Sequence, residues 1–190
     1  MAEHGLLIIL SAPSGCGKST LVRRLLELRP GLRFSVSATT RAPREGDVEG
    51  VEYYFIDNDT FRKMIENDEF LEYAQYVDNS YGTPRAPVER EMAAGNDVLL
   101  DIETNGALQV MERCPEAVTV FLLPPSFEEL ERRLTTRGKD RPEVIARRLE
   151  EAKRECSLSS RYAYNIVNDD IERAAAELSA IIDQERAKRK

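Results

Sequence analysis

Leu6-Leu7-Ile8-Ile9-Leu10-Ser11-Ala12-Pro13-Ser14-Gly15-Cys16-Gly17-Lys18-Ser19-Thr20 runs from an unbroken apolar stretch into a glycine-rich turn. The apolar run from Leu6 to Leu10 predicts a buried strand. Beyond the turn, Leu21, Val22, Leu25 and Leu26 recur at helical spacing until Pro30 and Gly31 stop the helix. Strand, tight turn and helix in that order are the context a phosphate-binding loop needs. The glycines let the backbone curl so that several amide N–H groups point inward, and the positive end of the next helix adds to the same hollow. Lys18 is then suited to terminal phosphates. Ser19 offers a hydroxyl to Mg2+, which takes one or two protein oxygens beside the phosphates of a nucleotide. Ala12 stands where a glycine is common, which is tolerable at negative φ. A loop that merely turns a strand into a helix is the plainer alternative, and it leaves Gly17-Lys18-Ser19 unexplained. Ala12, Pro13, Ser14, Gly15, Cys16, Gly17, Lys18, Ser19 and Thr20 are therefore expected to cradle a nucleoside triphosphate.

Outward from this turn, short apolar runs alternate with helical segments, the pattern of an α/β unit on a mostly parallel sheet. Val98 to Asp101, Val118 to Leu122 and Tyr164 to Val167 are further expected strands. A last helix from near Asp170 gathers Ile171, Ala174, Ala175, Leu178, Ile181 and Ile182 on one face, and its tail, Arg186 to Lys190, is expected to fray. Asp101 ends a buried run, which makes it the candidate for the outer coordination of Mg2+ beside Ser19; a strand-end turn or helix cap is the alternative.

Two stretches interrupt the alternation. Residues 37–95 are polar, hold five of the seven tyrosines, and mix β-like pieces at Val51 to Phe55 and Phe70 to Val77 with a helix near Thr60 to Asn67. Residues 126–156 open with Ser126 and Glu129 at capping-box spacing and carry seven arginines between Arg132 and Arg154. The expected fold is α/β: a P-loop NTPase-type parallel sheet flanked by helices, with an inserted mixed α+β nucleotide-binding subdomain and a helical lid. One domain over 1–190 is expected, its core at 1–36, 96–125 and 157–190, its insert at 37–95 and its lid at 126–156.

Composition narrows the function. The chain has 190 residues, 27 basic and 34 acidic side chains and a formal net charge of -7. That length suits one compact unit, and 42% hydrophobic residues allow a sizeable core. An acidic chain lacks the broad basic surface that displaces counterions from nucleic acid, so no nucleic-acid partner is expected and anion sites must be local. Of the cations 21 are Arg and six Lys, which favours forked recognition of phosphate and equally fits codon bias. Cys16, Cys114 and Cys156 show neither a disulfide framework nor metal-ligand spacing, which fits a reducing cytoplasm. The start does not read as a signal peptide, and no stretch approaches a membrane span, so no membrane partner is expected. His4 is the single histidine, which argues against a histidine base or a histidine-ligated metal.

Phe34 to Arg44 puts two guanidiniums, Arg41 and Arg44, after an extended, β-branched stretch. Surface pairing with Glu45, Asp47 or Glu49 is the structural alternative. The surrounding pattern is more specific. Ser37, Thr39-Thr40-Arg41, Pro43-Arg44, Gly46, Gly50 and Tyr53, with the phosphate loop and Tyr81-Gly82-Thr83, resemble the guanylate kinase family of bacterial type. The likeness covers essentially the whole chain, through Leu100-Asp101-Ile102-Glu103, the arginine-rich segment and Ile166-Val167-Asn168-Asp169-Asp170.

The resemblance implies transfer of the γ-phosphoryl of ATP to GMP, giving ADP and GDP, with Mg2+ as cofactor; dGMP is open as a second acceptor. It implies that Arg41, Arg44, Tyr53 and Tyr81 hold the GMP phosphate and that Ser37, Glu72 and Thr83 face guanine, with Asp101 and Glu103 joining the acceptor site. Lys18, Arg41, Arg133, Arg137 and Arg148 are implied to act on the transferred phosphoryl, and Asn168 to join the ATP site. Asn105 stands where glutamine is common and receives no role.

The residue types suit that chemistry. Guanidinium forks and phenolic hydroxyls are strong directional donors to a phosphate monoester. Guanine presents N1–H and N2–H2 side by side, so one carboxylate accepts both; adenine would leave it unpaired. The attacking phosphate oxygen has no proton to lose at neutral pH, because its second pKa is about 6. Charge stabilisation by magnesium, Lys18 and arginines is then the main requirement. Open alternatives are an exposed strand position for Glu72, simple packing for Tyr53 and Tyr81, and a solvated helix face pairing the lid arginines with Glu131, Glu143 and Glu150. For the whole chain they are a non-catalytic guanylate-kinase-like binding module, or a nucleoside monophosphate kinase of other base specificity. Monomer or homodimer is left open.

Overall fold

The structure, a computed structural model, describes residues 4–76, 78–136 and 141–189. In chain order its elements are β1 (Leu7–Ser11), α1 (Lys18–Leu28), β2 (Arg33–Phe34), β3 (Ala38–Thr39), β4 (Tyr54–Phe55), α2 (Asn58–Glu66), β5 (Phe70–Tyr76), β6 (Asn79–Pro84), α3 (Arg85–Ala93), β7 (Val98–Asp101), α4 (Thr104–Arg113), β8 (Val118–Leu123), α5 (Phe127–Thr136), α6 (Pro142–Ser157), β9 (Tyr164–Val167) and α7 (Ile171–Lys188). Five strands form a parallel sheet in the order β2-β7-β1-β8-β9, and four form a second sheet in the order β4-β3-β6-β5. This is the expected α/β class. The chain divides into two compact units.

The first unit comprises Met1–Leu7, Gly31–Leu100 and Asn105–Ala117. Its mixed sheet pairs β3 parallel with β4 and antiparallel with β6, and β6 antiparallel with β5. Ala38, Phe61 and Phe70 form a small buried cluster in this unit, packed by Tyr54, Ile56, Met64 and Ile65. The Asp57 carboxylate accepts the Thr60 amide at 2.7 Å, which caps α2 and starts it two residues before the expected Thr60. Of the expected strand at Val51 to Phe55 only Tyr54–Phe55 forms, because the Val51 and Glu52 amides turn back to the Val48 carbonyl at 3.1 and 3.2 Å and Val51 stays exposed. β5 ends at Tyr76, and Val77 lies outside the described residues. A register shift between Phe70 and Glu72 sets Glu72 directly opposite Thr83. Such irregularities re-aim side chains beside functional sites.

The second unit comprises Ile8–Pro30, Asp101–Thr104 and Val118–Lys190. β1 pairs parallel with β8, and β8 parallel with β9. α1 buries Leu21, Val22 and Leu25, and packs on α7, whose inner face carries Ala174, Ala175, Leu178 and Ile182. Each fully buried Leu or Ile on these faces contributes about 1.5–3 kcal/mol of transfer free energy. Asp170 caps α7 through the Arg173 amide at 2.9 Å. Where fraying was expected from Arg186, α7 continues to Lys188, whose ammonium bonds Glu185 and the Tyr164 hydroxyl. α5 and α6 share a cluster of Leu130, Leu134 and Ala152 with Ile145 and Leu149. Among the described residues no helix is long and apolar enough to cross a membrane.

Candidate active site

In the second unit the turn between β1 and α1 closes on itself. The Cys16 amide donates to the Pro13 carbonyl at 3.2 Å, and the Thr20 and Leu21 amides both donate to the Gly17 carbonyl at 3.1 Å. Gly15 and Gly17 have φ of 88° and 92°, conformations that other residues rarely adopt. A Cβ on Gly17 would also lie 2.6 Å from the Asn168 amide nitrogen. Ala12 has no positive φ, so an alanine in place of the usual glycine adds no backbone strain there. Ser19 is exposed in the first turn of α1. Lys18 Nζ pairs with the Asp101 carboxylate at 2.6 Å and donates to the Ile102 carbonyl at 3.1 Å, where the Ser11 hydroxyl also donates at 3.0 Å. Glu103, next along, is exposed.

Asn168 is buried and donates its side-chain amide to the Cys16 carbonyl at 2.7 Å. Arg133 reaches the Asn168 carbonyl at 3.1 Å and the Cys16 carbonyl at 3.5 Å, and Arg148 donates to the Ser14 hydroxyl at 2.6 Å. Two of the arginines expected on the lid thus meet the phosphate loop. Arg137 lies outside the described residues. A cavity of about 470 Å3 opens here, lined by Gly15, Gly17, Thr20, Arg133, Asn168 and Ile171 among others. Nucleotide-sized ligands occupy clefts of about 300–1,000 Å3. The partner of Arg133 is Glu129 at 2.8 Å, and not the Glu131, Glu143 or Glu150 weighed above. Glu129 also grips Arg132 at 2.7 Å, and the two guanidiniums hold its carboxyl down at about 2. The capping box is therefore only half formed: the Glu129 amide donates to the Ser126 hydroxyl at 3.1 Å, while its carboxylate serves the arginines.

Burial pushes the Cys16 thiol up to about 12, with Arg133 acting weakly the other way. Burial, with Glu103 close by, also raises the Glu155 carboxyl, which the Thr104 hydroxyl meets at 3.4 Å. Among the described residues no group of three or more His, Cys, Asp or Glu could hold a metal. The oxygens of Ser19 and Asp101 fit a hard cation that keeps its waters and takes few protein ligands, as Mg2+ does.

In the first unit Arg41 pairs with Asp47 at 2.8 Å, and its guanidinium lies 5.4 Å from the Tyr53 ring and 5.6 Å from that of Phe55. Tyr53 and Tyr81 meet edge to face at 5.8 Å. The Arg44 amide donates to Asp47 at 2.8 Å; that bond and Arg41 hold the Asp47 carboxyl below its ordinary value. Arg44 itself is exposed, and Ser37 is half-buried at the edge of β3. Glu72 is only 6% exposed, which removes the reading of it as an ordinary exposed strand position. Its carboxylate accepts the Thr83 hydroxyl at 2.6 Å. The sequence reading overlooked Gly106 in the first turn of α4, packed on that carboxylate. Asn-Gly is ordinarily a turn signal, so nothing local marks it.

Residues 4–185 match the family model described as guanylate kinase. A guanylate kinase of Thermus thermophilus is 52% identical over 183 residues, covering 96% of this chain and 83% of the relative. One of Desulfitobacterium hafniense is 50% identical over 190 residues, covering 99% and 95%. The crystal structure of guanylate kinase from Anaplasma phagocytophilum superposes with a TM-score of 0.76 at 39% identity, covering 96% of this chain and 87% of that one.

Proposed function

The chain belongs to the guanylate kinase family, and on that premise we propose how its residues divide the transfer of the γ-phosphoryl of ATP to GMP. It is an ATP:GMP phosphotransferase, a nucleoside monophosphate kinase that yields ADP and GDP. Identities of 52% and 50% over nearly the whole chain favour neither a non-catalytic binding module nor another base specificity.

On the donor side, residues 12–20 bind the phosphates of ATP and Lys18 takes the terminal ones; the tight turn at positive-φ Gly15 and Gly17 and the Lys18–Asp101 pair support this. The cavity bordered by Asn168 receives the nucleoside. Ser19 would hold Mg2+ directly and Asp101 through water; when bound, the ion offsets charge on the transferring phosphoryl. Arg133, Arg137 and Arg148 belong to a lid at 126–156 that closes over the triphosphate, a role supported for Arg133 and Arg148 by their contacts with the loop. Closure excludes water and limits wasteful hydrolysis.

On the acceptor side, the insert at 37–95 binds GMP. Arg41, Arg44, Tyr53 and Tyr81 take its phosphate, a role supported by the gathering of Arg41, Tyr53 and Tyr81; Arg41 is paired here with Asp47, the alternative partner weighed above, and the phosphate would have to replace that carboxylate. Arg41 also shares in stabilising the transfer, and Asp101 and Glu103 complete the acceptor contacts. Ser37, Glu72 and Thr83 read guanine. No residue need remove a proton from the acceptor oxygen, since it is already ionised. A cytoplasmic setting fits the three free cysteines.

The observation that carries the base assignment is the buried Glu72 carboxylate, held by the Thr83 hydroxyl at 2.6 Å. An ADP-release assay with GMP, AMP, CMP and UMP tests it. GMP should be the preferred acceptor, and Glu72→Gln should lose that preference; AMP outperforming GMP in the native protein would overturn the assignment.

A further inference from the structure

Gly106 sits in the first turn of α4, where a side chain would be unremarkable on helical grounds. A Cβ built there would lie 2.5 Å from Glu72 Oε2, 3.0 Å from its Cδ and 3.3 Å from its Cγ. All three nearest atoms belong to that one side chain. Real Cβ atoms essentially never approach within 3.0 Å, so an alanine would require the carboxylate to move away. Glu72 has little freedom to absorb this. It is buried, its backbone is paired opposite Thr83, and its other oxygen, Oε1, accepts the Thr83 hydroxyl at 2.6 Å. The first turn of a helix also favours a carboxylate through its unpaired N–H groups and dipole. The missing Cβ thus has a specific effect: it lets a buried carboxylate seat against α4 in one position.

We propose that Gly106 is a positioning residue for base specificity, setting where the Glu72 carboxylate stands and hence how well it accepts both the N1–H and the N2–H2 of guanine. The inference rests on the reading of Glu72 as the base acceptor. A purine lacking the 2-amino group keeps N1–H and loses the second donor. Discrimination against it depends on both carboxylate oxygens being in register with the base, and misplacement by an ångström can cost about 100-fold. A Gly106→Ala protein should keep its ATP KM within about twofold while kcat/KM for GMP falls about 10- to 100-fold, the range of a lost charged hydrogen bond. The GMP:IMP preference should narrow by a similar factor.

The experiment compares GMP and IMP as acceptors, and ATP KM, in native protein, Glu72→Gln, Glu72→Ala, Gly106→Ala and Gly106→Ala/Glu72→Ala, with thermal unfolding of each. Support is a narrowed GMP:IMP ratio in Gly106→Ala, and no further loss from Gly106→Ala once Glu72 is alanine. Gly106→Ala with a native ratio, while Glu72→Gln narrows it, overturns the inference and leaves the base reading intact. A native ratio in Glu72→Gln overturns the base reading and the inference with it. Should Gly106→Ala fail to fold, the double variant, in which the clashing side chain is gone, must fold; its failure would assign Gly106 to α4 itself and end the proposal.

Discussion

Lys18 and Asp101 form an ion pair of 2.6 Å in which both side chains are only 19% exposed. The pair joins the start of α1 to the end of β7, and the Ile102 carbonyl takes a second hydrogen bond from the same ammonium. A cation held this way is preorganised for charge that develops on a phosphate. Lys18→Ala should therefore lower kcat by about 100- to 1,000-fold, the cost of one preorganised donor. Asp101→Asn should keep the fold and raise the Mg2+ concentration needed for half-maximal ADP release. A native magnesium titration in Asp101→Asn would remove Asp101 from the metal site.

Asn168 ties the end of β9 to the phosphate loop through its 2.7 Å bond to the Cys16 carbonyl. Asn168→Ala leaves a buried carbonyl with only the long Arg133 contact at 3.5 Å. Unsatisfied buried acceptors cost about 1–3 kcal/mol. Urea unfolding should show a loss in that range, and ATP KM should rise more than GMP KM. Equal rises in both would mean that the amide supports the fold at large and not the donor loop.

How much of this was legible depends on how far apart in the chain the responsible residues stand. The phosphate loop is contiguous, so its strand, glycines, Lys18 and Ser19 could be read directly, and Asp101 followed from a short apolar run with a carboxylate at its end. Glu72 needed the family resemblance, because its burial comes from a register shift in β5 that no residue pattern announces. Gly106 was invisible for a related reason: its steric demand is made by the Glu72 side chain, on β5 and far off in the chain. The capping-box spacing of Ser126 and Glu129 held only for the Ser126 hydroxyl, since the Glu129 carboxylate went to the arginines. Two guanidiniums at i+3 and i+4 outcompete one backbone N–H for its carboxylate, and that contest is decided by side-chain geometry, not spacing.

Cys16 lies inside the donor loop yet has the chemistry of a core residue. It is fully buried, its thiol donates weakly to the Leu122 carbonyl at 3.5 Å, and its pKa is pushed up to about 12 by burial. Only about one thiol in 10,000 would be ionised at about pH 8, and the thiolate is the reactive form. Iodoacetamide should leave native Cys16 unmodified while alkylating it fully in urea, as read by peptide mass spectrometry. Cys156 is raised to about 11, and Cys114 is raised less, so Cys114 should label first in the native protein. Early labelling of Cys16 with loss of activity would show that the loop opens in solution.

Asp68 holds two cations that anchor α3 and α4 to β5: Arg113 at 2.5 Å and Arg85 at 2.8 Å, with Arg113 also donating to the Phe70 carbonyl at 3.1 Å. Its backbone has φ of 55°, a conformation that Asp and Asn tolerate, so Asp68→Asn removes charge without adding strain. Arg113 foremost, then Arg85, lowers the Asp68 carboxyl below its ordinary value of 3.8. A group with a depressed folded pKa binds protons more readily in the unfolded chain. Its stabilisation is present in full above the unfolded value and disappears as pH falls through the folded one. The urea midpoint of the native protein should exceed that of Asp68→Asn by a constant margin from about pH 5 to 8, and the margin should close below about pH 4. Because Asp68 is exposed, high salt should shrink it as well. A margin that widened on acidification would mean that the carboxylate destabilises the folded state, contrary to the two ion pairs.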